Sequence, residues 1–145
     1  MLLCQFRFRH DTGPETVWAA PGGGVEAGEP PLAALRRELD EEIGLPLDVE
    51  PPHVWHQKVV APGHATGYDG VINDYYLVHT ATFTPRGTMS DEQLAAEHVT
   101  GFRWWTQLEI ARYRGPAVFS PRGLADALAA LLANGPPAHP LAFGL

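Results

Sequence analysis

Glu38, Glu41 and Glu42 lie within five residues of one another, behind Arg37 and ahead of Gly44. Like charges repel, so the crowding needs either open solvent or a positive partner. On an α-helix, with Glu38 at 0°, Glu41 falls at about −60° and Glu42 at about +40°, so the three carboxylates share a face. Leu32, Leu35, Leu39 and Ile43 fall on a neighbouring stripe at roughly 60–140°, and Arg36 and Asp40 point away from both. One reading is an ordinary solvated face, where such pairs cost only a few tenths of a kcal/mol. The other is a seat for hard cations, because carboxylate oxygens are the donors that Mg²⁺, Mn²⁺ and Ca²⁺ prefer.

The elements that must hold this face can be read around it. Pro30 to Ile43 reads as the helix, with prolines at its start and Gly44 at its end. Leu2 to Arg9 reads as a strand, Asp11-Thr12-Gly13-Pro14 as a turn, and Thr16 to Ala19 as a short second strand. His53–Val60, Val71–Thr82 and Gly101–Trp105 are further strand candidates, with a Gly-rich loop at Pro62–Gly70. A polar connection carries Asp91, Glu92 and Glu97. Ser120-Pro121 opens a last helix that Asn134-Gly135 closes. This order predicts an α+β (α/β/α) domain, a single unit over 1–145 with 136–145 as an irregular tail.

Composition limits what the chain can be. It has 145 residues, 45% of them apolar, which is enough for one core. No apolar run is long enough to span a membrane, and the arginines of MLLCQFRFRH argue against a leader peptide. The net charge of −7 predicts no hold on a nucleic-acid polymer. A small phosphorylated ligand remains compatible if divalent cations lie between it and the acids. Cys4 is the sole cysteine, so no internal disulfide forms, and a cytoplasmic location is expected. The thiol is expected to be buried and inert.

Gly23 to Leu45 resembles the Nudix box, GX5EX7REUXEEXGU, with U a bulky apolar residue. Gly23, Glu29, Arg37, Glu38, Leu39, Glu41, Glu42, Gly44 and Leu45 satisfy every specified position. Trp18-Ala-Ala-Pro21-Gly22 resembles the family's usual lead-in. The resemblance implies the Nudix fold, a mixed sheet packed between helices. It also implies hydrolysis of a diphosphate linkage in a nucleoside diphosphate derivative or nucleoside triphosphate, with Mg²⁺ or Mn²⁺ as cofactor. It makes Glu38, Glu41 and Glu42 metal ligands, joined by the Gly23 carbonyl, with Glu38 also a candidate base and Arg37 orienting a glutamate. Glu29 is expected to anchor the loop to the helix.

The family commonly draws a further carboxylate from a later loop. Glu97 is the candidate ligand, with Asp91 and Glu92 as rivals. Strand alternation sets Arg7 and Arg9 on one face, opposite Phe6 and Phe8, as candidate substrate contacts. Trp18, Trp55, Tyr68, Trp104 and Trp105 could stack on a base, Trp18 being the favoured one, and His64 could act as a base or phosphate contact. Relative to the family pattern, the chain begins almost directly in the second strand. That predicts a longer protein, or a sheet one strand short whose bare edge a second subunit could cover as a homodimer. Two other functions share this fold: a nucleotide-sensing module without turnover, and an isoprenyl diphosphate isomerase, which would need acid/base groups that Cys4 is poorly placed to supply.

Overall fold

The computed structural model describes residues 1–65 and 68–143, the side chains of residues 61–69 excepted. The chain forms two compact units. The first comprises Met1–Glu50 with Ala81–Ser120, and the second Pro51–Thr80 with Pro121–Leu145.

The first unit is built on a four-stranded mixed sheet. Strand β1 (Leu2–His10) pairs antiparallel with β2 (Gly13–Ala19), Cys4 opposite Ala19 and His10 opposite Gly13. Leu2, Leu3 and Cys4 are buried, while farther along β1 the half-buried Phe6 and Phe8 alternate with the exposed Arg7 and Arg9. That alternation is the period-2 signature of a strand with one wet face. On its other edge β1 pairs with β5 (Val99–Trp104), and a short parallel strand, β6 (Val118–Ser120), extends the sheet beyond β2. The order is β5-β1-β2-β6.

Helix α1 (Pro31–Ile43) carries a proline in its first turn and ends at Gly44, which is left-handed at φ 70°. Gly44 is the economical residue there, since a side chain resists positive φ. Helix α1 buries Ala34, Leu39 and Ile43, and with them Glu38 and Glu42. Two short helices follow later in this unit, α2 (Asp91–Ala96) and α3 (Gln107–Arg112). Each opens on a reciprocal capping box, Ser90 with Gln93 and Thr106 with Glu109. Leu94 of α2 and Val99 of β5 pack with Cys4, joined by Phe6, Met89 and Phe102.

The second unit holds a three-stranded mixed sheet, β4-β3-β7. Strands β3 (His53–Ala65) and β4 (Tyr68–Tyr76) form a long antiparallel hairpin, and β7 (Leu141–Phe143) pairs parallel with Trp55–Gln57 of β3. Helix α4 (Leu124–Asn134) buries Leu124, Leu128 and Leu131, the spacing of a single helical stripe.

Several expectations are corrected here. The stretch 62–70, read as a loop, is mostly strand, because β3 runs to Ala65 and β4 starts at Tyr68. The register of β3 on β4 shifts between Val60 and Ala65, an irregularity that accommodates Pro62 and Gly63. The strand expected through Thr82 ends at Tyr76. Ser120 does not cap a helix: it pairs with Ala19 in β6, and α4 starts after a left-handed Gly123. The tail expected to be irregular contains β7.

Candidate active site

Helix α1, the loop before it and the C-terminal end of α2 build one acidic cluster, all within the first unit. Carboxylate oxygens of Glu38, Glu42 and Glu97 lie within 4.8 Å of one another. Glu38 and Glu42 face inward, 7% and 1% exposed, whereas Glu97 is exposed. Glu42 Oε2 accepts a 3.0 Å hydrogen bond from the Gly22 N–H. Burial nonetheless pushes its carboxyl up to about 7, and the charges of Glu38, Glu97 and Glu41 add to the rise. Burial also raises Glu38, against the hydrogen bond and charge of Arg37. Two carboxylates held out of water beside a third make negative charge costly there, which a bound proton relieves in part and a divalent cation could relieve more fully.

Arg37 organises this face. Its guanidinium meets Glu29 bidentately, Nε to Oε1 at 2.9 Å and Nη2 to Oε2 at 3.0 Å. From Nη1 it donates to Glu38 at 2.7 Å and Glu41 at 3.3 Å, and from Nη2 to the Gly24 carbonyl at 3.0 Å. These carboxylates raise its pKa further, so it stays charged at every relevant pH. Glu29 also accepts from the Glu26 N–H at 2.9 Å. It therefore ties the loop to α1 and stands apart from the converging cluster. Glu41 stands apart too, held by Arg37 with its side chain 38% exposed.

Gly23 lies in close approach to Glu38. A Cβ built there would lie 2.5 Å from the Glu38 carboxyl carbon and from Oε1, so any side chain displaces the carboxylate. A backbone pressed this near to converging acids, with an all-oxygen donor set, fits a hard divalent cation.

Glu97 is delivered by a strap that sequence reading missed. The Arg86, Thr88 and Met89 N–H groups donate to the carbonyls of Ile43, Asp40 and Glu41 at 3.1, 3.3 and 2.9 Å. They thereby satisfy the carbonyls that the end of α1 leaves open. Gly87 is the tight point, where a Cβ would collide with the Asp40 and Glu41 carbonyls. The strap leads straight into the Ser90 cap of α2, and Glu97 is that helix's C-cap. His98 then takes a left-handed φ of 65°, uncommon for a residue with a side chain. Its carbonyl accepts the Arg7 N–H at 3.0 Å, which fixes the turn against β1. The rivals go elsewhere: Asp91 pairs with Arg86 at 2.6 Å, and Glu92 lies exposed in the first turn of α2.

Arg7 and Arg9 line a cavity of about 710 Å³ with His10, Gly13, Pro14, Thr16 and Pro116. Trp18, expected at the substrate, packs instead in the core, 9% exposed and edge-on to Trp105 at 5.1 Å. Trp55 and Trp105 are buried as well, and Trp104 donates its Nε1–H to the Phe83 carbonyl at 2.9 Å. The side chains of His64 and Tyr68 lie outside the described residues. Cys4 is fully buried, and its thiol is pushed far up by burial and by the nearby Glu42 charge. Among the described residues, no helix is long and apolar enough to cross a membrane.

The RNA pyrophosphohydrolase of Francisella tularensis subsp. mediasiatica (strain FSC147) is 64% identical over 36 residues, 24% of this chain and 23% of that protein. The RNA pyrophosphohydrolase of Halorhodospira halophila (strain DSM 244 / SL1) is likewise 64% identical over 36 residues, covering 20% of its length. The chain thus spans about a fifth to a quarter of the length of these curated relatives. No solved structure gives a significant match. The NUDIX domain family matches residues 1–126, a span that takes in the glycine loop, the glutamate helix, the strap and Glu97: the chain belongs to the Nudix family, with an α+β fold of mixed sheets and, among the described residues, four helices.

Proposed function

We propose that the protein hydrolyses a pyrophosphate linkage in a nucleoside triphosphate or nucleoside diphosphate derivative, with Mg²⁺ as its cofactor and Mn²⁺ as a substitute. The observation that carries this is the convergence of Glu38, Glu42 and Glu97 within 4.8 Å, beside a glycine whose Cβ would meet the Glu38 carboxyl. Glu38, Glu42 and Glu97, with the Gly23 carbonyl, would hold the metal, and Glu41, gripped by the same guanidinium as Glu38, would join them from outside the converging trio. A divalent cation held there neutralises phosphate charge and acidifies a water. The residues do the rest. Arg37 fixes Glu38 by a short charge-assisted bond, so that this carboxylate meets the attacking water in one orientation and serves as general base. Arg7 and Arg9 are the candidate substrate contacts, in a cavity whose lining includes none of the three converging glutamates.

A buried thiol with a raised pKa is a poor acid/base group, which disfavours isomerisation of an isoprenyl diphosphate. The net charge of −7 favours small substrates over a polymer. A triphosphorylated RNA end nevertheless presents the same linkage, and the relatives' name points to it. A free and buried Cys4 suits a cytoplasmic enzyme.

The test is a panel of nucleoside triphosphates, nucleotide sugars, dinucleoside polyphosphates and a 5′-triphosphorylated oligoribonucleotide, run with Mg²⁺, with Mn²⁺ and with EDTA. Products should be identified by mass. Metal-dependent cleavage between phosphates is expected for at least one mononucleotide. Binding without turnover across the whole panel would instead mark a sensing module.

A further inference from the structure

A second constellation of metal-ligating side chains stands in the β3–β4 hairpin of the other unit. His56 and Asp74 are direct cross-strand partners, and His56 Nδ1 lies 2.6 Å from Asp74 Oδ1. His53 Nε2 lies 3.0 Å from the same oxygen. The three donor atoms all fall within 4.8 Å of one another.

The backbone is arranged to allow this. Residues three apart on a regular strand point to opposite faces. Here the register shifts between His53 and Trp55, so that His53 opposes Tyr76 while Trp55 opposes Tyr75. The extra residue turns the odd spacing of the two histidines into an even one. His53 consequently shares a face with His56 and with Asp74, which is two positions from Tyr76. Stacking on Tyr76, with ring centroids 4.9 Å apart and planes 23° apart, holds the His53 ring in place.

We propose that His53, His56 and Asp74 bind a zinc-class divalent cation. Two imidazole nitrogens and one carboxylate oxygen suit Zn²⁺, Co²⁺ or Ni²⁺, whereas Mg²⁺ favours oxygen donors in an octahedron. With Zn–N and Zn–O bonds of about 2.0–2.2 Å, tetrahedral donors lie about 3.3 Å apart. Small rotations of the three side chains reach that spacing from 2.6 and 3.0 Å. The side chains are 32%, 40% and 33% exposed, so an ion can enter from solvent. Three protein ligands leave a fourth position for water or for a donor group on another molecule. Such an ion would clamp β3 to β4, and it differs in donor chemistry from the all-oxygen glutamate site.

The test is zinc titration of the metal-stripped full chain in excess Mg²⁺, followed by calorimetry, with His56→Ala, Asp74→Asn and Glu42→Gln compared. One zinc per chain is expected. His56→Ala and Asp74→Asn should each weaken binding by at least about 10- to 100-fold, the loss that even outer-shell changes cause at metal sites. Glu42→Gln should leave it unchanged. Equal zinc affinity in all four proteins, or no zinc uptake by the wild type in excess Mg²⁺, would overturn the proposal. It would leave these residues as a cation-free hydrogen-bonded clasp. Should the hairpin variants lose their fold, Co²⁺ substitution in the wild type decides. Strong visible bands from a nitrogen-ligated ion of low coordination number are expected, and the pale spectrum of octahedral oxygen ligation alone would count against the site.

Discussion

Glu42 combines near-complete burial with one backbone hydrogen bond and three acidic neighbours. Its carboxyl titrates at about 7 in the folded chain against an ordinary 4.5. Between those values the folded state keeps a proton that the unfolded state has lost. The stability from this group is therefore full below about pH 4.5 and is lost as pH rises through 7. In EDTA, Glu42→Gln should melt higher than the wild type at pH 8, by an amount on the order of 1–3 kcal/mol, and the gap should close near pH 5. Added divalent cation should close it at pH 8 as well. The same variant should lose at least roughly 100-fold in turnover, and near-normal turnover would remove Glu42 from the metal site. At Gly23, alanine should keep the fold by circular dichroism yet cripple turnover, because its methyl occupies the space of the Glu38 carboxyl. A fully active Gly23→Ala enzyme would show that Glu38 can do its work displaced. The shared face of the glutamates was legible from type and spacing, while their reading as metal ligands, and that of Gly23, came from the family resemblance. The state of Glu42 was not, because burial is decided by what packs over the face.

Among the elements, those that sequence reading found are the ones with strong local signals. The prolines and Gly44 bracket α1, and the Phe/Arg alternation marks β1. Helices α2 and α3 were missed although Ser90…Gln93 and Thr106…Glu109 spell their capping boxes. Six-residue helices carry too short an apolar period to detect, so the cap was the only usable signal. Strands β6 and β7, three residues each, owe their existence to distant partners, Val17–Ala19 and Trp55–Gln57, and no local pattern announces them. The strap over the end of α1 is of the same kind: its hydrogen bonds join residues 86–89 to 40–43. Helix α2 positions Glu97, so Ser90→Ala should do more than cost about 1 kcal/mol of stability. Fraying α2 should weaken the apparent affinity for activating Mg²⁺ in a kinetic titration, with full activity restored at saturating metal. An unchanged Mg²⁺ requirement would mean that the strap alone holds Glu97.

For the whole molecule, charge is the property that composition made plain. With −7 overall and acids gathered at the site, binding of an anionic substrate should depend on the metal more than on the protein's own field. Raising salt in the physiological range should therefore change kcat/KM for a mononucleotide only about two- to threefold, far less than polymer-binding proteins lose over such a range. A steep salt dependence would point to an extended phosphate backbone as the true ligand. The expectation of one irregular tail and one long loop failed on the scale of pairing, where Gly70 pairs with Val60 and the register shifts between Val60 and Ala65, so glycine and proline that local reading assigns to turns lie inside strands.

Cys4 sits at 0% exposure near the start of a central strand, packed against Leu94 and Val99 and within reach of the Glu42 charge, and it is the chain's sole thiol. This makes it a built-in clock. An alkylating reagent can reach the sulfur only when β1 parts from its neighbours, so the labelling rate reads out how often that sheet opens. Ions that grip Glu42 and its companions should slow the clock, which would report their arrival with no substrate present.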